Sequence, residues 1–259
     1  MGYKDSRTNG RVTEITHIVP FKQGGPRALN GIRYADRCRA LLESFQKLEA
    51  EGFTSPVRRF SGIHFARWQL IDGDTRLLFT TNFDGSWEDY IGAFVRQIPW
   101  SLGLIWTNCE NYPLDRKSGD RLIPGAADYT LFSRFVKRYQ VPAGLFYAQH
   151  GDLTIRDVRY LRIFHQEACA RLERGESVTL GEIQRQVMLK TARVSAACRG
   201  LPSEPFPKPG CLEEMSEADK AVFRERIGFP LSKLYPAYTA ATMREIFAEF
   251  GLLPAGEEA

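Results

Sequence analysis

The alternation of apolar and polar positions predicts a strand and a helix at the start of the chain. Val12 to Phe21 is rich in β-branched side chains and precedes the breaker Gly24-Gly25-Pro26, which is typical of a strand followed by a turn. Between Leu29 and Glu51, apolar residues recur at spacings of three and four and predict a helix. Its single apolar stripe indicates that this helix packs on a sheet by one face.

The next segment predicts a β-hairpin followed by a second helix. Ile63 to Ile71 and Arg76 to Phe83 are strand-like runs on either side of Asp72-Gly73-Asp74, and an Asp-Gly pair between apolar runs is a strong hairpin signal. Ser86 has the hydroxyl of a helix N-cap, and the acidic Asp89 follows three residues later. The apolar face of that helix comprises Trp87, Tyr90, Ile91 and Phe94.

The middle of the chain completes the first predicted unit. From Thr107 to Ala127 the composition shifts to Pro, Gly, Asp and Asn, which predicts a long loop or insertion. A helical spacing of aromatic residues follows it, and Ala143 to Ala148 predicts a short fourth strand. The order is β-α-β-β-α-β, so we expect an α+β fold with a ferredoxin-like unit over residues 12–150 and an insertion at about 107–140.

Residues 151–259 predict a helical extension that packs on the sheet or on a partner subunit. Thr154 to Arg174 carries one apolar stripe, and Thr179-x-x-Glu182 is a capping box that opens another helix. Four prolines between Gly200 and Gly210 indicate a linker. Two further helices are predicted, at 217–227 and 239–249.

Composition excludes several classes of function. The 35 basic and 31 acidic residues are spread along the chain, without the basic block of a nucleic-acid-binding arm. No run approaches the roughly 18 apolar residues of a membrane span, and the polar amino terminus lacks a signal sequence, so we expect a cytoplasmic protein without a transmembrane segment. Five widely spaced cysteines predict reduced thiols. Phosphate-loop, dinucleotide, G-x-S-x-G and H-E-x-x-H motifs are absent from the sequence.

The strand Ile63-His64-Phe65-Ala66-Arg67-Trp68, the Asp-Gly hairpin and the run Leu77 to Ser86 resemble the dimeric α/β-barrel proteins of ferredoxin-like fold. More narrowly, they are similar to a bacterial group classed with haem peroxidase-like proteins. The resemblance covers about residues 12–175 and implies a homodimer whose sheets enclose pockets. In the haem-containing branches, such as dye-decolorising peroxidases and chlorite dismutases, a histidine ligates haem between the sheet and the helices.

His165 is the candidate haem ligand. It lies on the apolar stripe of its helix, four residues after Leu161 and seven before Leu172, and we expect it to face the core. An inward imidazole can bind haem iron through one nitrogen. A buried histidine whose ring is satisfied by a carbonyl is the alternative interpretation.

His64, Arg67 and Asp84, which lie on or next to the hairpin, are candidates for catalysis. Strand alternation places His64 on the face of Ala66 and Trp68, and Arg67 on the opposite face. Arg67 is expected to bind an anion, a haem propionate or a peroxide, or alternatively to form a salt bridge with Asp84 or Glu88.

Asp84 is a candidate proton shuttle for peroxide cleavage. The alternative is that Asp84-Gly85-Ser86 simply forms a turn and a helix cap. His17 and His150 are weaker candidates, the first on a strand and the second in a turn.

These residues lead to one hypothesis and two alternatives. The hypothesis is a haem-dependent oxidoreductase of peroxidase or oxygenase type that acts on a small or apolar organic substrate. His165 would ligate haem, Arg67 would stabilise charge, and Asp84 or His64 would transfer protons. The alternatives are a non-catalytic protein that binds a small apolar ligand, and a cofactor-free enzyme of the α/β-barrel type.

Overall fold

The fold is α+β, as predicted, and its centre is an antiparallel sheet. The computed structural model describes residues 8–9, 11–25, 32–50, 57, 60, 62–118, 121–176, 179, 181–182 and 244. Four strands pair in the order β1-β2-β4-β3. Their bounds are β1 Thr8–Asn9, β2 Val12–Pro20, β3 Ile63–Ile71 and β4 Arg76–Asp84.

The β3–β4 hairpin forms where the sequence predicts it. Its turn contains Asp72, Gly73 and Asp74, whose φ angles are 53°, 61° and 66°. Left-handed backbone is accessible to glycine and tolerated by aspartate, and this explains the strength of the Asp-Gly signal. The hydroxyl of Thr75 donates to the Asp72 carbonyl at 2.9 Å and closes the turn.

Five helices accompany the sheet in the described part of the chain. They are α1 Tyr34–Ala50, α2 Trp87–Gln97, α3 Pro99–Trp106, α4 Tyr129–Tyr139 and α5 Ile155–Glu173. The predicted N-cap of α2 is confirmed, because the Ser86 hydroxyl accepts the Asp89 N–H at 3.1 Å. A short hairpin of β5 Arg116–Ser118 and β6 Arg121–Ile123 lies within the predicted insertion.

The hydrophobic core lies between one face of the sheet and helices α1 to α4. Ile15, Leu77 and Phe83 from the strands are buried in the same cluster as residues of each of these helices. Helix α3 is buried on all sides and contains a continuous apolar run, so the sequence offers no helical periodicity from which to predict it.

The predicted fourth strand at Ala143–Ala148 is wrong. These residues form no strand. Strand β2 pairs with β1 on this side instead, and Gln140 forms a single β-bridge with His17. Val141 donates one hydrogen bond to Thr16, at 2.8 Å. Pro142 then has no N–H to continue the ladder.

The predicted second half is described only in part. Helix α5 forms over the predicted span, and the capping box at Thr179 and Glu182 is present, with the Glu182 N–H donating to the Thr179 hydroxyl at 3.4 Å. The linker at 200–210 and the helices predicted at 217–227 and 239–249 lie outside the described residues, apart from Arg244.

Candidate functional site

A β-bulge in β3 turns His64 towards the end of β4. Ile63 pairs with Phe83, but the next pair is Phe65 with Asn82, so the register shifts by one residue at His64. The imidazole Nε2 is consequently 2.7 Å from Oδ1 of Asp84. A bulge resets the alternation of side chains, so the expectation that His64 shares a face with Ala66 and Trp68 stays a prediction.

Asp84 links three elements through its two carboxylate oxygens. One oxygen accepts a hydrogen bond from His64 of β3, and the other accepts the backbone N–H of Ile155 at 2.9 Å. Ile155 is the first residue of α5, where N–H groups lack partners within the helix and favour a negative charge. The Asp84 carboxylate is therefore held in one orientation from two sides.

The His64–Asp84 pair is partly shielded from solvent. The two side chains are 15% and 18% exposed, respectively. Partial burial strengthens a hydrogen bond to a charged group, and the remaining exposure leaves the imidazole accessible to a small molecule. Since a carboxylate accepts the bond at Nε2, the proton lies on Nε2, and Nδ1 is the nitrogen of a neutral ring that can accept a proton.

Arg67 lies on the outer, exposed face of the sheet, whereas the sequence predicts an Arg67 that is paired or binds an anion in a pocket. It is exposed and shares that face with the exposed residues Phe65 and Gln69. The alternative prediction of a salt bridge to Asp84 or Glu88 is wrong. Asp84 bonds to His64 and Ile155, while Glu88 pairs with Lys137 at 3.9 Å.

His165 does not face the core, which corrects the prediction made from its helix stripe. The residue is exposed, and its ring nitrogen Nε2 lies 3.6 Å from the Cys169 sulfur one turn later. No residue of α5 is buried, and Leu161 and Leu172 are 49% and 75% exposed. A stripe shows which side of a helix is apolar, but not whether another element covers it.

The positions of His165 and Arg67 do not fit a haem site among the described residues. A haem ligand requires an apolar enclosure around the imidazole, whereas His165 lies on an exposed helix face and Arg67 on the outer face of the sheet. The described residues also contain no group of three or more His, Cys, Asp or Glu side chains placed to hold a metal ion. Haem binding stays a prediction.

His17 occupies the interior beneath the sheet. Its ring is surrounded by aromatic side chains, and neither ring nitrogen makes a hydrogen bond. The ring centroids of Trp106, Phe135 and Tyr139 lie 6.1, 5.2 and 6.1 Å away. Burial lowers the pKa of His17 from 6.5 to about 3, and the Phe135 backbone acts in the opposite direction.

The contact between Asp84 and α5 was missed from the sequence. Thr154 and Asp157 form a capping box at the start of α5, and that signal locates the helix start but not the residue on which the helix docks. His150, in contrast, lies in an exposed turn, in agreement with the expectation of a turn residue.

No helix among the described residues combines the length and the apolarity required to cross a membrane. The chain matches no family model, no curated protein and no solved structure.

Proposed function

We propose that the chain is a cofactor-free enzyme in which His64 and Asp84 transfer protons to and from a small organic acid. The observation that carries this proposal is the 2.7 Å hydrogen bond between His64 Nε2 and Asp84 Oδ1, in a pair that is partly buried and partly accessible. A base held by a second group in this way has the arrangement that general acid–base catalysis requires.

The division of roles follows from the hydrogen bonds. Asp84 fixes the tautomer of His64 and stabilises the imidazolium that forms when Nδ1 accepts a proton. The bond from the Ile155 N–H to the second oxygen of Asp84 keeps the carboxylate in place during this step. A positioned base of this kind contributes about 10² to 10⁴ in rate.

The outer face of β3 supplies contacts for an anionic substrate. Arg67 is exposed and has no ion pair within the described residues, so its guanidinium is available to a carboxylate. Phe65, 76% exposed, lies between His64 and Arg67 along the strand and offers an apolar surface. His64 and Arg67 are three residues apart, or about 10 Å along a strand. That distance suits a small organic acid with its acidic C–H near His64.

The sheet supports a ferredoxin-like unit as the scaffold. Strands β2 and β3 both pair antiparallel to β4, which lies between them, and α1 connects β2 to β3. This is the arrangement expected of the first half of a β-α-β-β-α-β unit. In the dimeric α/β-barrels that the sequence resembles, a second copy would close over the outer face and over His64.

Deuterium exchange tests the proposed chemistry without knowledge of the full reaction. The protein is incubated in D₂O with a panel of small 2-oxo acids and 3-oxo acids, and loss of the proton next to the carbonyl is followed by NMR. We expect exchange by the unsubstituted protein and a loss of about 10²-fold or more in His64→Gln. His150→Gln, an exposed turn histidine, is the matched control and should keep full activity.

Two outcomes would contradict the proposal. Equal exchange by His64→Gln and the unsubstituted protein would remove His64 from the chemistry. Binding of the acids without any exchange would favour the alternative of a non-catalytic ligand-binding protein.

A further inference from the structure

His165 and Cys169 form a close pair of metal-ligating side chains on the surface of α5. Nε2 of the His165 ring lies 3.6 Å from the Cys169 sulfur, and Nδ1 lies 4.0 Å from it. A spacing of i and i+4 places both side chains on one side of the helix. His165 is exposed and Cys169 is partly exposed, so a dissolved metal ion can reach both groups.

The separation of the two groups matches that of two ligands on one zinc ion. Zinc binds thiolate sulfur at about 2.3 Å and imidazole nitrogen at about 2.0 Å, and tetrahedral geometry then sets the sulfur and the nitrogen about 3.5 Å apart. Two histidines at i and i+4 on a helix bind zinc in the same way in metalloproteases. The distance between Nε2 of His165 and the Cys169 sulfur therefore already suits a shared zinc ion.

One copy of the chain supplies half of a closed zinc site. Structural zinc sites have four protein ligands, and no third His, Cys, Asp or Glu joins this pair within the part of the chain that the structure describes. A second copy would bring the same two ligands. The resulting set of two sulfurs and two nitrogens is typical of tetrahedral zinc.

The apolar stripe around the pair indicates how two copies would meet. Val158, Leu161 and Leu172 lie on the same side of α5 as the pair and are 42%, 49% and 75% exposed. His165 lies at the centre of this stripe, so a two-fold axis beside it would pack the stripe of one copy against that of the other. Burial of these side chains would add a hydrophobic contribution to that of the metal.

Charges beside the stripe favour an antiparallel contact between the two helices. The exposed Arg162 and Glu173 lie on the same flank of the stripe, one before and one after the pair. When the two helices run antiparallel, Arg162 of one copy comes level with Glu173 of the second copy, and the opposite charges attract. The same symmetry sets His165 of one copy level with Cys169 of the second, so the four ligands converge.

We propose that His165 and Cys169 bind a zinc ion together with the same pair of a second copy of this chain. The cysteine binds as the thiolate, and its proton passes to solvent when the metal binds. This site is separate from the His64–Asp84 pair, because Asp84 contacts Ile155 at the start of α5, and His165 lies ten residues further, or about 15 Å along the helix.

Cobalt titration of the full-length protein tests the site, because Co²⁺ can replace Zn²⁺ and reports its ligands in the absorption spectrum. We expect a thiolate-to-cobalt charge-transfer band that saturates at one metal ion per two chains and disappears on addition of excess Zn²⁺. Cys169→Ser should abolish the band, and His165→Gln should weaken Co²⁺ binding about tenfold or more. Cys211→Ser and His150→Gln are the matched controls and should bind Co²⁺ as the unsubstituted protein does.

Sedimentation with and without Zn²⁺ provides the second measurement. Zinc should raise the sedimenting mass of the unsubstituted protein at least twofold over its mass in a chelator, and it should leave the mass of Cys169→Ser unchanged. An unchanged cobalt spectrum in Cys169→Ser would overturn the site. Saturation at one ion per chain, without a change in mass, would overturn the sharing of the ion between two copies.

Discussion

His17 shows how strongly one buried residue can couple the fold to pH. The ring lies among aromatic side chains with no hydrogen bond at either nitrogen, so the core accepts it only in the neutral form. An unfolded chain would bind a proton at this residue near pH 6.5, whereas the folded protein binds it only near pH 3. Stability should therefore be unaffected by His17 above pH 6.5 and should fall as the pH drops towards 3.

Acid unfolding of a His17 variant tests this coupling. Between pH 7 and pH 5, His17 should lower the free energy of unfolding by about 2 kcal/mol. His17→Phe keeps an aromatic ring and removes the titrating group. We expect the loss of stability over this range, measured by urea unfolding, to be smaller in His17→Phe by about that amount. Equal losses in the two proteins would show that His17 does not titrate in this way.

At the scale of elements, the start of α5 has a structural role next to the proposed site. The Thr154 hydroxyl accepts the Asp157 N–H at 3.2 Å, and the adjacent Ile155 N–H binds Asp84. The first turn of α5 thus pairs the N–H groups of Ile155 and Asp157 and orients the carboxylate that contacts His64.

Removal of the cap should loosen this helix locally. Thr154→Ala should destabilise the helix by about 1 kcal/mol, because an N-cap hydroxyl is lost. Faster amide hydrogen exchange in α5, with unchanged exchange in β4, is the expected result. Thr130→Ala, at an exposed position near the start of α4, serves as the control. Uniform faster exchange throughout the protein would contradict a local effect.

The elements that could be predicted from the sequence are those with a local signal. The hairpin at Asp72-Gly73 and the cap at Ser86 depend on a few adjacent residues, and both formed as predicted. The orientation of His64 depends on a bulge defined by pairing with another strand. Likewise, the exposure of His165 depends on which element packs on α5. His64 and Asp84 were both candidates, but their contact with each other and with Ile155 required the three-dimensional arrangement.

At the scale of the whole molecule, the homodimer stays a prediction, and the outer face of the sheet around Phe65 is the surface on which we expect it to form. Phe65 is a large apolar side chain, 76% exposed, on the outer face of the sheet. An isolated exposed side chain is ordinary, but one on a sheet face next to a proposed active site is suited to an interface.

Analytical ultracentrifugation tests whether the sheet face that carries Phe65 is the dimer interface. We expect the chain to sediment with twice the mass of one copy and Phe65→Glu to shift it towards the monomer, because a carboxylate would be desolvated at the interface. Leu145→Glu, at an exposed position outside the sheet, should leave the dimer intact. A monomeric unsubstituted protein would contradict the dimer, and a Phe65→Glu dimer would contradict this choice of surface.

The most direct test of the proposed function is a double-mutant cycle on the exchange rate of a 2-oxo acid in D₂O. If Asp84 acts through His64, His64→Gln and Asp84→Asn will each slow exchange, and the double variant will be no slower than His64→Gln alone. Rates that fall by the product of the two single effects, or an Asp84→Asn variant as fast as the unsubstituted protein, would contradict a catalytic pair.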